Sequence, residues 1–181
     1  MSIKSHYIIT GPPSSGKTSI INHLENLGYW CFPEIARRVI KENRMSNLNC
    51  FPWNNMKEFS NQVFRRNVEL LTTVNDNSLC FFDRSAVDVI AYMDVSNIKR
   101  NTSFNNEVSE LSYNKMVFFM PFWSQIYQND NERIETKNQA IKIENQLRMV
   151  YLEFGFELVD VPKLNISERV NFILKRVQKN N

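Results

Sequence analysis

The segment Gly11-Pro12-Pro13-Ser14-Ser15-Gly16-Lys17-Thr18 spaces two glycines, a lysine and a hydroxyl in the order GxxxxGK[ST]. That pattern is suited to phosphate. Successive backbone N–H groups of such a turn line a concave nest for phosphate oxygens. A helix starting at the end of the turn adds a dipole that favours negative charge. Lys17 has the reach for β- and γ-phosphates, and the Thr18 hydroxyl is placed to ligate Mg²⁺. Ser19 follows directly and is counted with the loop. The implied ligand is a purine nucleoside triphosphate with Mg²⁺. ATP is favoured over GTP, because the guanine-selecting NKxD pattern is absent.

Two further groups stand where such a loop could use them. In open α/β sheets ligands lie beyond the carboxyl ends of the strands. Glu34 follows one apolar run, and Asp83-Arg84 follows another, Leu79-Cys80-Phe81-Phe82. Asp83 can hold Mg²⁺ directly or through water, or can cap the helix that follows. Glu34 can serve as a general base or bind a substrate hydroxyl. It can equally pair with Arg37 or Arg38 on a helix surface. Arg37, Arg38 and Lys41 suit an anionic acceptor, or form a solvated basic face. In the polar stretch 122–136, Arg133 could clamp a transferring phosphoryl group, where charge stabilisation does most of the work. Asp130 and Glu135 beside it read as ordinary loop charges. Phe51, Trp53, Phe122 and Trp123 suit stacking or plain core packing. His6 and His23 read as structural.

These groups need elements to hold them. Tyr7–Thr10 is a β-branched apolar run and reads as a buried strand. A helix from about Lys17 to Leu27 follows, with Ile20, Ile21, Leu24 and Leu27 on one face and Gly28 as terminator. The pattern then alternates. Strands are expected at 29–32, 79–82, 116–120 and 156–161. Helices are expected at about 34–43, 55–74, from 87, at 138–154, and at 167–178 with Ser167 as N-cap. Asn97–Asn106 reads as a polar loop, with a short helix at 108–111. Pro121 opens a lid over about 121–137. Alternating strands and helices argue for a parallel sheet covered on both faces.

Composition agrees with one domain of 181 residues. Hydrophobic residues make up 43% of the chain, as in a globular protein. A net charge of +3 is too small for a general nucleic-acid binder, which needs clustered charge. Three cysteines, with no CxxC pair, argue against disulfides and zinc. No apolar stretch is long enough for a membrane span, and the N-terminus lacks a signal-peptide core. A cytoplasmic protein with no membrane partner is expected.

The series Gly11–Thr18, Glu34-Ile35-Ala36-Arg37-Arg38 and Phe81-Phe82-Asp83-Arg84-Ser85, with Asp88 and Ala91-Tyr92, runs on through Val117–Pro121, Asp130 and Arg133 to Gly155-Phe156, Pro162 and Glu168-Arg169-Val170. It resembles the AAA-type P-loop domain family related to the kinase domain of NadR, a nicotinamide riboside kinase. The Asp-Arg-Ser block is also similar to motifs of thymidylate and deoxynucleoside kinases. The resemblance implies a three-layer P-loop NTPase fold with a five-stranded parallel sheet in the order 2-3-1-4-5. It implies catalytic roles for Lys17, Glu34, Asp83, Arg84 and the lid residue Arg133. An acceptor set of Glu34, Arg37, Arg38, Arg84 and Asp88 goes with it, as does metal at Thr18 and Asp83. The reaction expected is phosphoryl transfer from ATP to a nucleoside, nucleotide or similar metabolite. A nucleotide-dependent switch with slow hydrolysis is the alternative. A nucleic-acid end kinase would need a basic groove that +3 does not provide.

Overall fold

The computed structural model describes residues 5–75, 78–127 and 136–180. Strand β1 (His6–Thr10) leads into α1 (Lys17–Asn26), and β2 (Trp30–Phe32) into α2 (Ile35–Met45) and α3 (Met56–Thr73). Strand β3 (Cys80–Asp83) is followed by α4 (Ala86–Val95) and α5 (Thr102–Glu110). Then come β4 (Met116–Phe119), α6 (Lys137–Glu153), β5 (Glu157–Asp160) and α7 (Ile166–Asn180). All strand pairs are parallel, and the sheet order is β2-β3-β1-β4-β5. This is the order that the family resemblance implies.

The strands read as unbroken apolar runs because both faces are covered. Side chains alternate between two cores, as a period of two requires. Ile8, Phe82, Val117 and Phe119 face one core with residues of α2 to α6. Tyr7, Ile9, Phe81 and Phe118 face the other, against Ile20, Ile21 and Leu24 of α1 and Val170, Ile173 and Val177 of α7. The carboxyl ends of all five strands are thereby held at one rim.

Two local expectations are corrected. Helix α5 covers the second half of the stretch read as a loop at Asn97–Asn106, and takes in most of the short helix expected at 108–111. Asn101 caps it by accepting from the Ser103 N–H at 3.2 Å. Phe104 and Val108, four apart, are both buried and supply its core stripe. Polar residues on the other faces concealed it. The last helix starts earlier than expected, and its cap is Asn165, not Ser167. Asn165 Oδ1 accepts from Glu168 N–H at 3.0 Å, and the Glu168 carboxylate accepts from Asn165 N–H at 3.3 Å. That reciprocal pair is a capping box. All three cysteines are free. Among the described residues, no helix is long and apolar enough to cross a membrane.

Candidate functional site

The turn after β1 has the conformations that its glycines permit. Gly11 has φ 143° and Gly16 φ 86°. A Cβ at Gly11 would lie 2.2 Å from the Met120 carbonyl oxygen, so only glycine fits where the loop passes β4's end. Gly16 precedes α1, whose first residue is Lys17. The N–H groups of the loop and of the first helical turn are thus gathered at one helix N-terminus. The Lys17 side chain folds back along the loop. Its Nζ donates to the carbonyls of Gly11 at 2.9 Å and Pro12 at 2.7 Å, and to Ser15 Oγ at 3.2 Å. Burial, then the nearby Arg84 charge, bring its ammonium down from an ordinary 10.5 to about 7.

Arg84 stands one residue past β3 with φ 72°, a left-handed conformation that costs a non-glycine residue. Its side chain accounts for the conformation. Nη1 donates to the Gly11 carbonyl at 3.1 Å and to Asp88 Oδ1 at 3.2 Å. Nε forms an ion pair with Glu34 Oε1 at 3.1 Å. The guanidinium also lies 5.4 Å from the centre of the Tyr92 ring. Burial opposes its charge, yet the surrounding Tyr92, Glu34, Asp88 and Asp83 hold it well above the ordinary arginine value.

Glu34 sits at the start of α2 and makes no capping bond there. It pairs with Arg84 and, at 3.3 Å, with Arg37. Burial alone would raise its pKa, but Arg84, Lys17 and Arg37 outweigh that and hold the carboxyl below its usual range. The strand-end position and the helix-surface pair therefore coexist. Asp83 ends β3 and is 5% exposed, and its Oδ1 has no hydrogen-bond partner. Burial, and then Glu34, raise it to about 6. Asp83 does not cap α4. That role belongs to Ser85, whose Oγ accepts from Val87 N–H at 3.1 Å.

Asp88, expected among the acceptor ligands, is otherwise occupied. Its Oδ1 accepts from the Thr10 hydroxyl and Arg84, and its Oδ2 from the Ser85 N–H, the Ser85 hydroxyl and the Tyr151 hydroxyl. A carboxylate offers about four lone-pair sites, so little acceptor capacity remains. Arg38 also departs from expectation: it does not line the cavity described below, is 67% exposed, and pairs with Glu42 at 2.9 Å. Asp130, Arg133 and Glu135 lie outside the described residues. His6 is buried, with Nε2 3.1 Å from the Asn75 carbonyl.

Three residues of the site escaped the sequence reading. Arg169 of α7 is 3% exposed. Its Nη2 donates to the Ser15 carbonyl at 3.0 Å, and its guanidinium lies 5.7 Å from the centre of the Trp123 ring. It also crowds Gly16, where a Cβ would meet Nη1 at 2.8 Å. Burial pulls its pKa below the ordinary arginine value. The signal was present: Arg169 falls on the buried stripe of α7, four before Ile173. Thr10 and Tyr151 carry no motif, and only the fold brings them to Asp88.

A cavity of about 1640 Å³ runs over this rim. Ordinary ligand pockets span roughly 300–1,000 Å³, so it has room for two ligands. The sheet order divides it. Trp123, Ile126, Leu164 and Arg169 follow β4 and β5 on one side of the loop. Glu34, Arg37, Arg84 and Tyr92 follow β2 and β3 on the other. Mg²⁺ keeps several waters and needs only one or two carboxylates beside substrate phosphates. Thr18 in the lining and the unpartnered Asp83 oxygen fit that requirement.

A sequence comparison with curated proteins gives no match. Among solved structures, a deoxyadenosine kinase from M. mycoides with products dCMP and dCDP superposes with a TM-score of 0.68 at 15% identity, over 96% of this chain and 99% of that one. NadR in complex with NR gives 0.74 at 12% identity, over 98% of this chain and 52% of that one. The thymidylate kinase from Candida albicans gives 0.65 at 15% identity, over 99% and 94%. At such identities the likeness speaks for the fold. A family model described as an AAA domain matches residues 6–169, and the chain belongs to that AAA domain family.

Proposed function

We propose that this protein is a P-loop phosphotransferase, moving the γ-phosphoryl group of ATP to a small-molecule acceptor such as a nucleoside, nucleotide or similar metabolite. The observation that carries this reading is the two-sided cavity. A phosphate nest lies at its centre, and a carboxylate–guanidinium pair, Glu34–Arg84, lies on the side away from Arg169. A protein that only bound or slowly hydrolysed a triphosphate would have no use for the second compartment. The kinase folds it resembles support the same reading.

The roles follow from the chemistry. The loop amides and Lys17 take the phosphates, with Lys17 exchanging the Gly11 and Pro12 carbonyls for phosphate oxygens. Arg169 and Trp123 offer a cationic plane and an aromatic face to the nucleobase. Thr18, and Asp83 through water, would hold Mg²⁺, which supplies neutralisation of charge on the phosphates. Glu34, kept ionised, accepts the proton of the acceptor hydroxyl as that oxygen bonds to phosphorus. The bond from phosphorus to the β-phosphate oxygen breaks, and a nucleoside diphosphate leaves. Arg84 holds Glu34 in place and faces the charge that develops. Positioning and charge neutralisation supply the rate.

The test is ADP release from ATP across a panel of nucleosides, nucleotides and other hydroxylated metabolites. Release that depends on one acceptor class, and is lost in Lys17→Ala together with triphosphate binding, is the expected result. Slow hydrolysis insensitive to every acceptor would favour the switch. Unchanged triphosphate affinity in Lys17→Ala would remove the loop assignment altogether.

A further inference from the structure

The described lining of the cavity holds six cationic side chains, Lys17, Arg37, Lys41, Arg44, Arg84 and Arg169, against two carboxylates, Glu34 and Asp88. The lining therefore carries +4 while the whole chain carries +3, so everything else sums to −1. The surplus positive charge of this protein is concentrated in one place. A triphosphate on the loop answers the part of it at Lys17, Arg84 and Arg169. The rest lies on α2, beyond Glu34.

Arg37, Lys41 and Arg44 recur at spacings of four and three, so they share one helix face. At about 1.5 Å per residue the stripe runs roughly 10 Å along the helix. Most arginines on the outer surface have carboxylate partners. Arg38 and Arg66 share Glu42, Arg65 pairs with Glu107, Arg100 with Asp94 and Glu153, and Arg148 with Glu144 and Asp160. Arg37 is tied to Glu34. Among the described residues Lys41 and Arg44 face no carboxylate within ion-pair distance, a condition that outside the cavity Arg176 and surface lysines such as Lys57, Lys99 and Lys163 share; Lys41 and Arg44 differ from these in lining the cavity. The Arg44 guanidinium instead lies 5.8 Å from the centre of the Trp53 ring, which is 57% exposed and stacks on Phe51. Met56, Phe59, Val63 and Tyr92 line the same cavity, with the polar Ser60 and Asn67 of α3 among them.

We infer that Lys41 and Arg44 hold a phosphomonoester at the non-reacting end of the acceptor, whose flat apolar body lies against Trp53, Phe59 and Tyr92. Two unmatched cations suit a group carrying about −1.5 to −2 at neutral pH better than a carboxylate. The orientation rests on the kinase reading, which places the reacting oxygen beside Glu34. The acceptor is then a phosphorylated metabolite that is phosphorylated a second time, at a hydroxyl about two helical turns from its first phosphate.

Phenyl phosphate, benzoate and phenol serve as probes, titrated by ¹H–¹⁵N NMR into protein saturated with Mg²⁺ and a non-hydrolysable ATP analogue. Phenyl phosphate is expected to move the amide signals of residues 41–45 and the Trp53 indole N–H signal, and to bind about tenfold or more tighter than phenol, with benzoate between. In the Lys41→Ala/Arg44→Ala double variant that preference should vanish while affinity for the ATP analogue stays the same; both side chains are exposed, so the fold should survive. Phenol binding as tightly as phenyl phosphate, benzoate binding tightest, unmoved signals at residues 41–45, or an unchanged preference in the double variant would each overturn the inference. Failure of the kinase reading would show differently, as absent acceptor-dependent ADP release in the unaltered protein.

Discussion

Arg84 is the residue whose backbone and side chain make opposite demands, and that conflict is measurable. Its φ of 72° lies in the left-handed region. A residue with a Cβ loses roughly 1–2 kcal/mol there, and glycine loses none. At an ordinary position glycine is worse than alanine by roughly 0.5–1 kcal/mol, through chain entropy. At position 84 the order should reverse, with Arg84→Gly more stable than Arg84→Ala by about 0.5–1 kcal/mol. Both variants should still be weaker than the unaltered protein. Removing the guanidinium leaves Glu34 and Asp88 without their 3.1 and 3.2 Å partners. Breaking a buried ion pair costs about 3–5 kcal/mol when the remaining charge is stranded. Lys17 and Arg37 remain beside Glu34, and Thr10, Ser85 and Tyr151 beside Asp88, so about 2–3 kcal/mol is the fitting figure.

Urea denaturation with equal m-values across the three proteins reads these differences directly. If Arg84→Gly proves less stable than Arg84→Ala by the usual margin, the strain argument is refuted, whatever happens to activity. Arg84→Lys adds a second arm. A lysine keeps the charge but not the planar fork that reaches two carboxylates and a carbonyl together. It should recover only part of the stability. Turnover should fall by about 10²–10³ in the glycine and alanine variants, the scale of losing one preorganised charge stabiliser, and by less in Arg84→Lys.

Gly11→Ala should cost more than about 3 kcal/mol, since its Cβ would meet a backbone oxygen at 2.2 Å. Gly28→Ala meets nothing within 4 Å, pays only for its φ of 88°, and is the control in the same melts. Tyr151→Phe removes a hydroxyl shared by Asp88 and Ser85. It should lose about 1–3 kcal/mol by thermal denaturation and lower turnover by slackening the hold of Asp88 on Arg84. The pH dependence of stability carries two signatures. Lys17 binds its proton more weakly folded, at about 7, than unfolded, at 10.5, so its contribution makes stability rise with pH across that window. Asp83 binds its proton more strongly folded, at about 6, than unfolded, at 3.8, so its contribution makes stability fall as pH climbs across that lower window. Subtracting the melting curves of Lys17→Met and Asp83→Asn from that of the unaltered protein should isolate each slope. A flat difference curve would refute the corresponding burial argument.

The phosphate loop was legible because its chemistry is local. Eight consecutive residues fix the turn, the helix start and the ammonium that folds over it. The strands were legible because burial on both faces leaves no polar gap in runs such as Tyr7–Thr10 and Cys80–Phe82. The order of the strands rested on resemblance, since nothing in an apolar run states its neighbour. What stayed hidden is tertiary. Asp88 looked like a ligand from its place after Asp83-Arg84-Ser85, yet Tyr151 and Thr10, 63 and 78 residues away, occupy it. Arg38 and Arg37 are adjacent in sequence, and the helical turn of about 100° between them separates the outer surface from the cavity. Arg169 stood in the resemblance series without a role, and only the fold, which brings it to the Ser15 carbonyl, gives it one.

The same electrostatics that make the site costly to fold make it selective for what it binds. Burial works against the charge on Lys17, Asp83 and Glu34 alike, but the three respond differently because their neighbours differ. Glu34 lies against two arginines and stays ionised. Asp83 lies nearer in effect to Glu34 and is driven toward its proton. Lys17 has Arg84 pressing on it and only two carbonyls and the Ser15 hydroxyl to donate to. On the proposed reading, a bound triphosphate would add negative charge beside Lys17 and restore its proton, and a cation held with it would favour ionised Asp83. Each change strengthens the attraction that caused it. A neutral ligand of the same shape would leave both groups as they are and gain neither. Discrimination for a metal-complexed polyanion would then follow from how deeply these groups are buried, before any contact specific to base or acceptor is counted.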